Sequence, residues 1–423
     1  MLFKKLSRQQ IITLLILLVL SVAYYCVFIP VNSSSSEGGS AFSIFSGDEY
    51  ITYPYVEKML RGDSDIHQLW GNLIIYGDYH YGYPFYFLSM LVLLPRRLVL
   101  GDAFFAARTT NIFLLRQLVN VLPMILAAGV LVYYKTRFRN TVQSTLLFLL
   151  FLMVPSVVRS NIWWWHPDSI TFLFIALTFL FLQKDDYRLG RNFILAAVTC
   201  GLAAGTKLLG FFFFLTIPVY LVITHSKRGA YWTRIIKKGL LFVFVMTVVI
   251  VLANPFLWYE GPRNEMIAIQ QFKQTELEEG YTHGDPSSYQ KGPSFWQWTI
   301  ENWFGAVLFI VFLVFSTVWG VFQKKDFNEN IYLITWSFPF TLYVLFFVAP
   351  KPDHYIFPAL MPLFLAALDI PVLVREKWKN LPLSTKLLAL LALVGILVIL
   401  VQQIRFSIVK DLLVYQEYLI ENM

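Results

Sequence analysis

Apolar residues in this chain come in blocks that recur from one end to the other, many of them near the roughly 20 residues a helix needs to cross a bilayer. Nine blocks are clear: 10–29, 112–134, 143–158, 168–183, 239–256, 303–323, 331–349, 354–374 and 385–403. The pattern predicts a polytopic bundle of membrane helices. Periodicity within single blocks says little about function, which has to be read from the polar residues that flank or interrupt them. Two regions resist a simple count. The run 84–100, "PFYFLSMLVLLPRRLVL", is either a span or a helix lying at the interface. The run 192–224 carries Lys207 in its middle and is too long for one ordinary span and tight for two.

Charge resolves both. Suppose 84–100 stays at the surface and 192–224 makes two short crossings that turn near "GTK". One side of the membrane then receives the N-terminus, "KTRFRN", "KDDYRLGR", "HSKRGAYWTRIIKK", "KKDFNEN" and "REKWKN". All are short and rich in Lys or Arg, as cytoplasmic loops are. If 84–100 crossed, every later basic loop would face out. If 192–224 were one span, the basic loops that bracket it would face opposite sides. The expected topology has eleven spans, the N-terminus inside and the C-terminus outside. The first apolar run follows Lys4, Lys5 and Arg8 and reads as a retained anchor rather than a cleaved signal. The chain is expected to be a single transmembrane unit over 1–423. Its non-cytoplasmic face carries the first loop (30–111), "VRSNIWWWHPD", the Lys207 turn, the long loop 257–302 and "APKPDH".

Composition agrees. The chain of 423 residues is 57% hydrophobic and only 14% charged, against about a quarter charged in soluble domains; mean hydropathy is +0.60. The formal charge of +8 sits mostly in short loops, as a topology signal does, and gives no reason to expect nucleic acid. Cys26 and Cys200 lie within apolar segments and read as packing residues, with no disulfide framework. Six scattered histidines show no HExxH or His-x-His spacing, which argues against a tight zinc site. There is no P-loop, GxSxG or strand-linked GxGxxG, no repeat of 20 to 50 residues, and only a local Ser/Gly stretch, "VNSSSSEGGS", at 31–40.

The unusual polar residues gather on the non-cytoplasmic face. Asp48 and Glu49 follow the first span; a carboxylate there can take a proton from a hydroxyl, or be a hydrated loop acid. "GDYHYGYPFYFLSMLVLLP" brings His80, Tyr83 and a Pro84 suited to a helix start. Arg96 and Arg97 at its end suit lipid phosphates at headgroup level or simple snorkelling. Arg116 heads a span, where an ionisable side chain is costly unless paired; its fork suits phosphate. Arg159, His166 and Asp168 flank the triplet Trp163–Trp164–Trp165, an interfacial belt or a sugar-stacking surface, with Asp168 also suited to capping a helix. Lys207 is the only charge in its long apolar run, a functional-site signal. Lys351, Asp353 and His354 precede a later span, and the long loop adds His283 and Asp285.

The order of these pieces resembles the GT-C superfamily of membrane glycosyltransferases, most of all the branch of protein O-mannosyltransferases and lipid A aminoarabinose transferases. The stretches that carry the likeness are "GDEY", "YGYPFYFLSMLVLLP" ahead of an Arg-headed span, "HPDSITFLFIALTFLF", "AAVTCGLAAGTKLLGF" and "DHYIFPALMPLFLA", spread over about 45–370. Each is degenerate; order and spacing are the specific part. The resemblance implies transfer of a sugar from a polyprenyl phosphate or pyrophosphate lipid to an acceptor hydroxyl on the non-cytoplasmic face, the acceptor being lipid, glycan or protein. It implies Asp48 as general base with Glu49 beside it. Lys207, Arg116, His354 and Lys351 become donor-phosphate contacts, and Asp168, His166, Tyr83 and His80 substrate contacts. No cofactor is asserted; metal dependence varies across the superfamily, which leaves room for a divalent ion. Tyr83-Pro84-Phe85 stands where the superfamily often has Pro-Pro-Leu, and the soluble domain that ends some relatives is not expected. A bacterial inner membrane is the expected location. The competing readings are a transporter or flippase, which predicts midplane polar residues and pseudo-repeats, a surface-glycan polymerase or ligase, and a non-catalytic scaffold.

Overall fold

A computed structural model of the chain describes residues 6–34, 48–62, 65–281, 289–323, 327–371 and 382–406. His283 and Asp285 fall outside them, as does most of the Ser/Gly stretch. Every regular element among the described residues is helical. The first span is α1 (Arg8–Val27), entered through a capping box in which Gln10 N–H donates to Ser7 Oγ (3.2 Å) and Ser7 N–H to Gln10 Oε1 (3.0 Å), followed by the short α2 (Ile29–Ser33). The first outer loop holds α3 (Glu49–Met59), α4 (Ile66–Ile74), α5 (Tyr83–Leu100) and α6 (Arg108–Leu115). Helix α6 runs through a π-helical turn, Arg116–Val121, into α7 (Leu122–Thr136). Then come α8 (Thr141–Leu152), α9 (Pro155–Arg159), α10 (Asp168–Asp185), α11 (Arg191–Lys207), α12 (Thr216–Arg228) and α13 (Trp232–Ala253). The long loop contains α14 (Glu260–Glu279) and α15 (Gln297–Trp303). The chain continues with α16 (Val307–Val321), α17 (Phe327–Phe347), α18 (Asp353–Leu360) and α19 (Leu383–Phe406).

All eleven expected spans fall on helices, but they differ in kind. Among the described residues six helices are long and apolar enough to cross a membrane, or seven if the pair Pro293–Trp303 and Val307–Val321, bent by 97°, counts as one span. The others are shorter or more polar: α8 has 12 residues, and α10 carries Asp168, Lys184 and Asp185. The run 192–224 breaks where charge required it to. Leu208 takes a left-handed conformation (φ 36°) directly after Lys207, and the chain returns through Leu209–Phe214 into α12. Gly210 lies so close to Cys200 and Ala204 of α11 that a β-carbon there would collide with their backbones.

Helix α10 packs along α7 and α11, and α11 along α13. The α11 sequence "AAVTCGLAAGT" makes this possible, since small residues let membrane helices approach closely. Gly201 faces the Met246 carbonyl and Val249, and Ala196, Ala197, Cys200, Ala203 and Ala204 are buried. Outer helices instead expose large apolar side chains, among them Leu15, Leu18 and Val19 of α1 and Leu240, Phe244 and Leu252 of α13. Such surface is stable only against lipid.

The outer loop is sewn to this bundle. Helix α5 packs on α3, α6 and the end of α11. Its cations do not reach for headgroups, contrary to the sequence expectation: Arg96 donates to Asn111 Oδ1 (2.9 Å), and Arg97 to the Leu60 carbonyl (3.1 Å) and Asp102 (3.2 Å). At the α5 entry, Gly82 N–H donates to the Thr206 carbonyl (3.0 Å) and Tyr83 N–H to Asn254 Oδ1 (2.8 Å), while Asn254 Nδ2 donates to the Gly205 carbonyl (3.1 Å). A β-carbon on Gly82 would overlap the Gly205 carbonyl oxygen. Gly82→Ala is therefore expected to cost about 1–3 kcal/mol, as overpacking does, read as a lower unfolding temperature of the detergent-solubilised protein.

Candidate active site

Four segments converge at one end of the bundle: the start of α3, the turn before α5, the loop before α10 and the junction after α11. Asp168 opens α10. It does not cap the helix; its carboxylate lies between two partners. Oδ1 accepts from Lys207 Nζ at the end of α11, and Oδ2 lies 2.8 Å from His166 Nδ1 along an oblique approach. On the other ring edge, His166 Nε2 is 2.7 Å from the Tyr81 hydroxyl, which also stands 2.9 Å from Asp48 Oδ2. Asp48 Oδ2 and His166 Nε2 are themselves 3.7 Å apart. His166 and Asp168 are buried, whereas half of the Asp48 side chain is exposed. His354, near the start of α18, and Trp164 complete one wall, with His354 6.0 Å from both the His166 and Trp164 rings and Trp164 4.9 Å from His166.

Burial alone would raise the Asp48 carboxyl. The neighbouring His166 ring, the Tyr81 hydrogen bond, the His354 ring and Lys273 together outweigh it, and Asp48 titrates below its ordinary value. It is a carboxylate at neutral pH, open to the outside and backed by buried polar groups.

The sequence pairs Asp48 with Glu49, and the structure separates them. Successive helical residues point about 100° apart. Glu49 turns inward and takes Arg116 in a two-pronged pair, Oε1 to Nε at 2.9 Å and Oε2 to Nη2 at 2.6 Å; both side chains are buried. Arg116 also donates to the Asn32 and Ser34 carbonyls (3.3 Å each). Glu49 therefore stands apart from Asp48 as a partner of Arg116, and the Arg116 fork that the sequence offered to a phosphate is engaged by Glu49 inside the protein. Lys351 is likewise engaged elsewhere, donating to the Val348 (3.0 Å) and Ala349 carbonyls over the Trp296 ring. His80 pairs with Asp78. The Tyr83 ring packs with Tyr76 and Phe87. Of the ten expected residues, the structure brings together Asp48, His166, Asp168, Lys207 and His354.

Two residues of the cluster carry no sequence signal. Tyr81 is one of five tyrosines between 76 and 86, the kind of aromatic any interface collects. Lys273 belongs to the polar helix α14. It donates to the His80 carbonyl (3.1 Å) and lies 4.3 Å above the Tyr81 ring. Burial first, then Lys207, brings its pKa down to about 8 against the opposing pull of Asp48, Asp78 and Glu276. The tryptophan triplet also divides. Trp163 Nε1 donates to the Val31 carbonyl (2.6 Å) and Trp165 Nε1 to Ser89 (3.0 Å); the Trp164 indole N–H, on the site wall, is buried without a protein acceptor. Among the described residues no group of three His, Cys, Asp or Glu side chains is placed to hold a metal.

Among solved structures, ArnT from Cupriavidus metallidurans bound to undecaprenyl phosphate superposes with a TM-score of 0.52 at 14% identity, over 95% of this chain and 73% of that one. The apo state of the same protein gives 0.49 at 15% identity, over 86% and 61%. No protein-family profile and no curated protein sequence matches the chain. The likeness to the first structure establishes the fold. The chain is an all-α, multi-pass membrane protein with the fold of that structure.

The division between the two acids is measurable. Glu49→Gln leaves the Arg116 charge buried and unmatched and is expected to cost about 3–5 kcal/mol. Asp48→Asn, at a half-open position, is expected to stay within about 0.5 kcal/mol of the parent. Thermal unfolding of the two purified variants compares them directly.

Proposed function

We propose that this protein is a glycosyltransferase that moves a sugar from a polyprenyl-phosphate lipid to an acceptor hydroxyl on the non-cytoplasmic membrane face, with Asp48 as general base. The observation that carries the reading is the open, ionised Asp48 carboxylate set against the buried His166–Asp168–Lys207 cluster at one end of a GT-C bundle. The ligand named for the ArnT structure, undecaprenyl phosphate, supports the lipid class of the donor. The chain would work as one transmembrane unit, its outer loops 30–111 and 257–302 roofing the site, in a bacterial inner membrane.

Asp48 accepts the acceptor's proton as the acceptor oxygen attacks the anomeric carbon. The bond from that carbon to the phosphate oxygen breaks, the electron pair leaves with the phosphate, and the sugar inverts. The leaving charge needs fixed cations where water is scarce. Lys207 and Lys273 supply them: Lys207 pairs with Asp168 yet stays partly exposed, and among the described residues Lys273 makes no ion pair with a carboxylate. Trp164 and His354 offer a face and polar edges for the sugar. The flippase reading wants its polar residues near the bilayer midplane; here they stand at helix ends.

Two measurements test this in protein reconstituted into lipid vesicles with a panel of undecaprenyl-phosphate sugars and a membrane extract as acceptor. Asp48→Asn is expected to lower transfer by roughly 100- to 10,000-fold, the range of general-base catalysis, while undecaprenyl phosphate still binds; undiminished transfer removes Asp48 from the role. Lys273 is cationic below about 8 and neutral above it. Transfer is therefore expected to fall as pH rises through about 8, and Lys273→Arg, which keeps its charge, to hold its rate there.

A further inference from the structure

We infer that Tyr81 and His166 form a proton relay behind Asp48: the proton Asp48 takes from the acceptor passes through the Tyr81 hydroxyl to His166 Nε2, and the three side chains act as one proton-accepting unit. The inference rests on the reading of Asp48 as the base and adds two residues to it.

The argument is a count of hydrogens. Asp48 Oδ2, Tyr81 Oη and His166 Nε2 form a sharply bent row, with contacts of 2.9 and 2.7 Å to the Tyr81 hydroxyl and 3.7 Å between the two ends. Each contact needs one hydrogen. Tyr81 brings one; an ionised carboxylate brings none; a neutral imidazole has one N–H, on either nitrogen. The far side of the ring fixes which. His166 Nδ1 lies 2.8 Å from Asp168 Oδ2, and Lys207, on the other oxygen, keeps Asp168 a carboxylate. The approach is oblique and neither atom has an aligned hydrogen bond, but at 2.8 Å a bare Nδ1 would set one lone pair beside another; the relay therefore takes the hydrogen on Nδ1 and Nε2 as acceptor. Burial, the leading influence on His166, lowers its pKa against the pull of Asp168, in keeping with a neutral ring. The resting row therefore has one hydrogen for two contacts. Whichever way the Tyr81 O–H points, one end of the row faces a lone pair across hydrogen-bonding distance.

One added proton relieves this. The acceptor O–H breaks and its hydrogen bonds to Asp48 Oδ2; Asp48 then donates to Tyr81 Oη, and Tyr81 to His166 Nε2. Moving both hydrogens one place along the row leaves an Asp48 carboxylate, an intact Tyr81 phenol and a His166 imidazolium beside the Asp168 carboxylate. Net charge is conserved: a neutral acid and a neutral ring become a carboxylate and an imidazolium, and the proton returns by the same path to water at the open Asp48 before the next turnover. The two hydrogens move together. A free tyrosinate is costly here, since burial, then the Asp48 charge, raises the Tyr81 phenol well above its ordinary value. The geometry is held rigidly enough for such a transfer. Gly82 N–H bonds to the Thr206 carbonyl, Lys273 lies on the Tyr81 ring, and the ring meets His166 edge to face at 4.9 Å between centroids.

The first test needs no donor. Nitrogen-15 NMR of histidine-labelled protein in lipid nanodiscs at pH 7 reads the His166 tautomer, the signal being assigned by its loss in His166→Gln. Nδ1–H with a hydrogen-bonded, unprotonated Nε2, moving toward the unbonded shift in Tyr81→Phe, is the expected result. An Nε2–H tautomer or a resting imidazolium overturns the relay. The second test is turnover with the sugar donor found by the panel. Tyr81→Phe and His166→Gln are each expected to lose about 10- to 100-fold in kcat, part of the general-base contribution, with undecaprenyl phosphate binding within about twofold of the parent. The double variant should be no slower than either single one, as for groups acting in one unit. A glutamine amide N–H can hold Tyr81 as a ring N–H would but takes no proton. Parental kcat in His166→Gln, with Asp48→Asn inactive, defeats the relay and spares the base. Parental kcat in Asp48→Asn defeats the base itself.

Discussion

A carboxylate and a guanidinium removed from water hold the outer half of this protein in register. Taking two such charges out of solvent costs several kcal/mol each before their attraction is counted. The arrangement survives because the fork is doubly bonded and because the Asn32 and Ser34 carbonyls take further guanidinium N–H groups. Glu49 begins α3 and Arg116 begins the π-helical turn leading into α7, so the pair clamps the first outer helix to the bundle. With Glu49 held inward, the residue before it is left on the open side. The position of Asp48 follows from what Glu49 does.

The second fixed point is made of small residues and amides. Gly205 and Gly82 let the turn before α5 lie directly on the end of α11, and Asn254 bonds to both. On the opposite flank, Asn120 reaches Ser160 and Asn161, Asn161 reaches Tyr24, and Asn32 joins Asn161 to Trp163. These side chains satisfy backbone groups of the irregular loop before α10, which would otherwise be buried without partners. The loop is stiff enough to present His166 and Asp168 from one side while the α5 turn presents Tyr81 from the other.

Function resides in the site rather than in the fold that carries it. Ionisable groups here are spread over four segments and meet at helix ends, where one side is protein and the other water. That position suits the proposed chemistry. An open carboxylate can meet an acceptor arriving from outside, and partly buried lysines act on a leaving phosphate with little screening. Large apolar surfaces on α1 and α13 keep the bundle in lipid, so donor and site share one plane and orientation comes with location.

The apolar blocks determined the helices, and the charges that interrupt or flank them marked where they end, because the cost of burying charge in lipid acts on each segment separately. The break at Lys207 and the gathering of polar residues at one end were legible for that reason. Asp48, Asp168 and Lys207 stood out because each is a charge where composition makes charge rare. Only the tertiary structure decided that Glu49 is a structural partner rather than a second base, that Arg116 and Lys351 are occupied elsewhere, and that Tyr81 and Lys273 belong to the site. Apart from the Lys351 bonds to carbonyls two and three residues away, those outcomes depend on contacts between residues 33 to 193 positions apart, made by residue types ordinary for their segments. A hydrophobic pattern fixes where a helix lies along the chain, but the direction a side chain takes around it is set by the neighbour it finds.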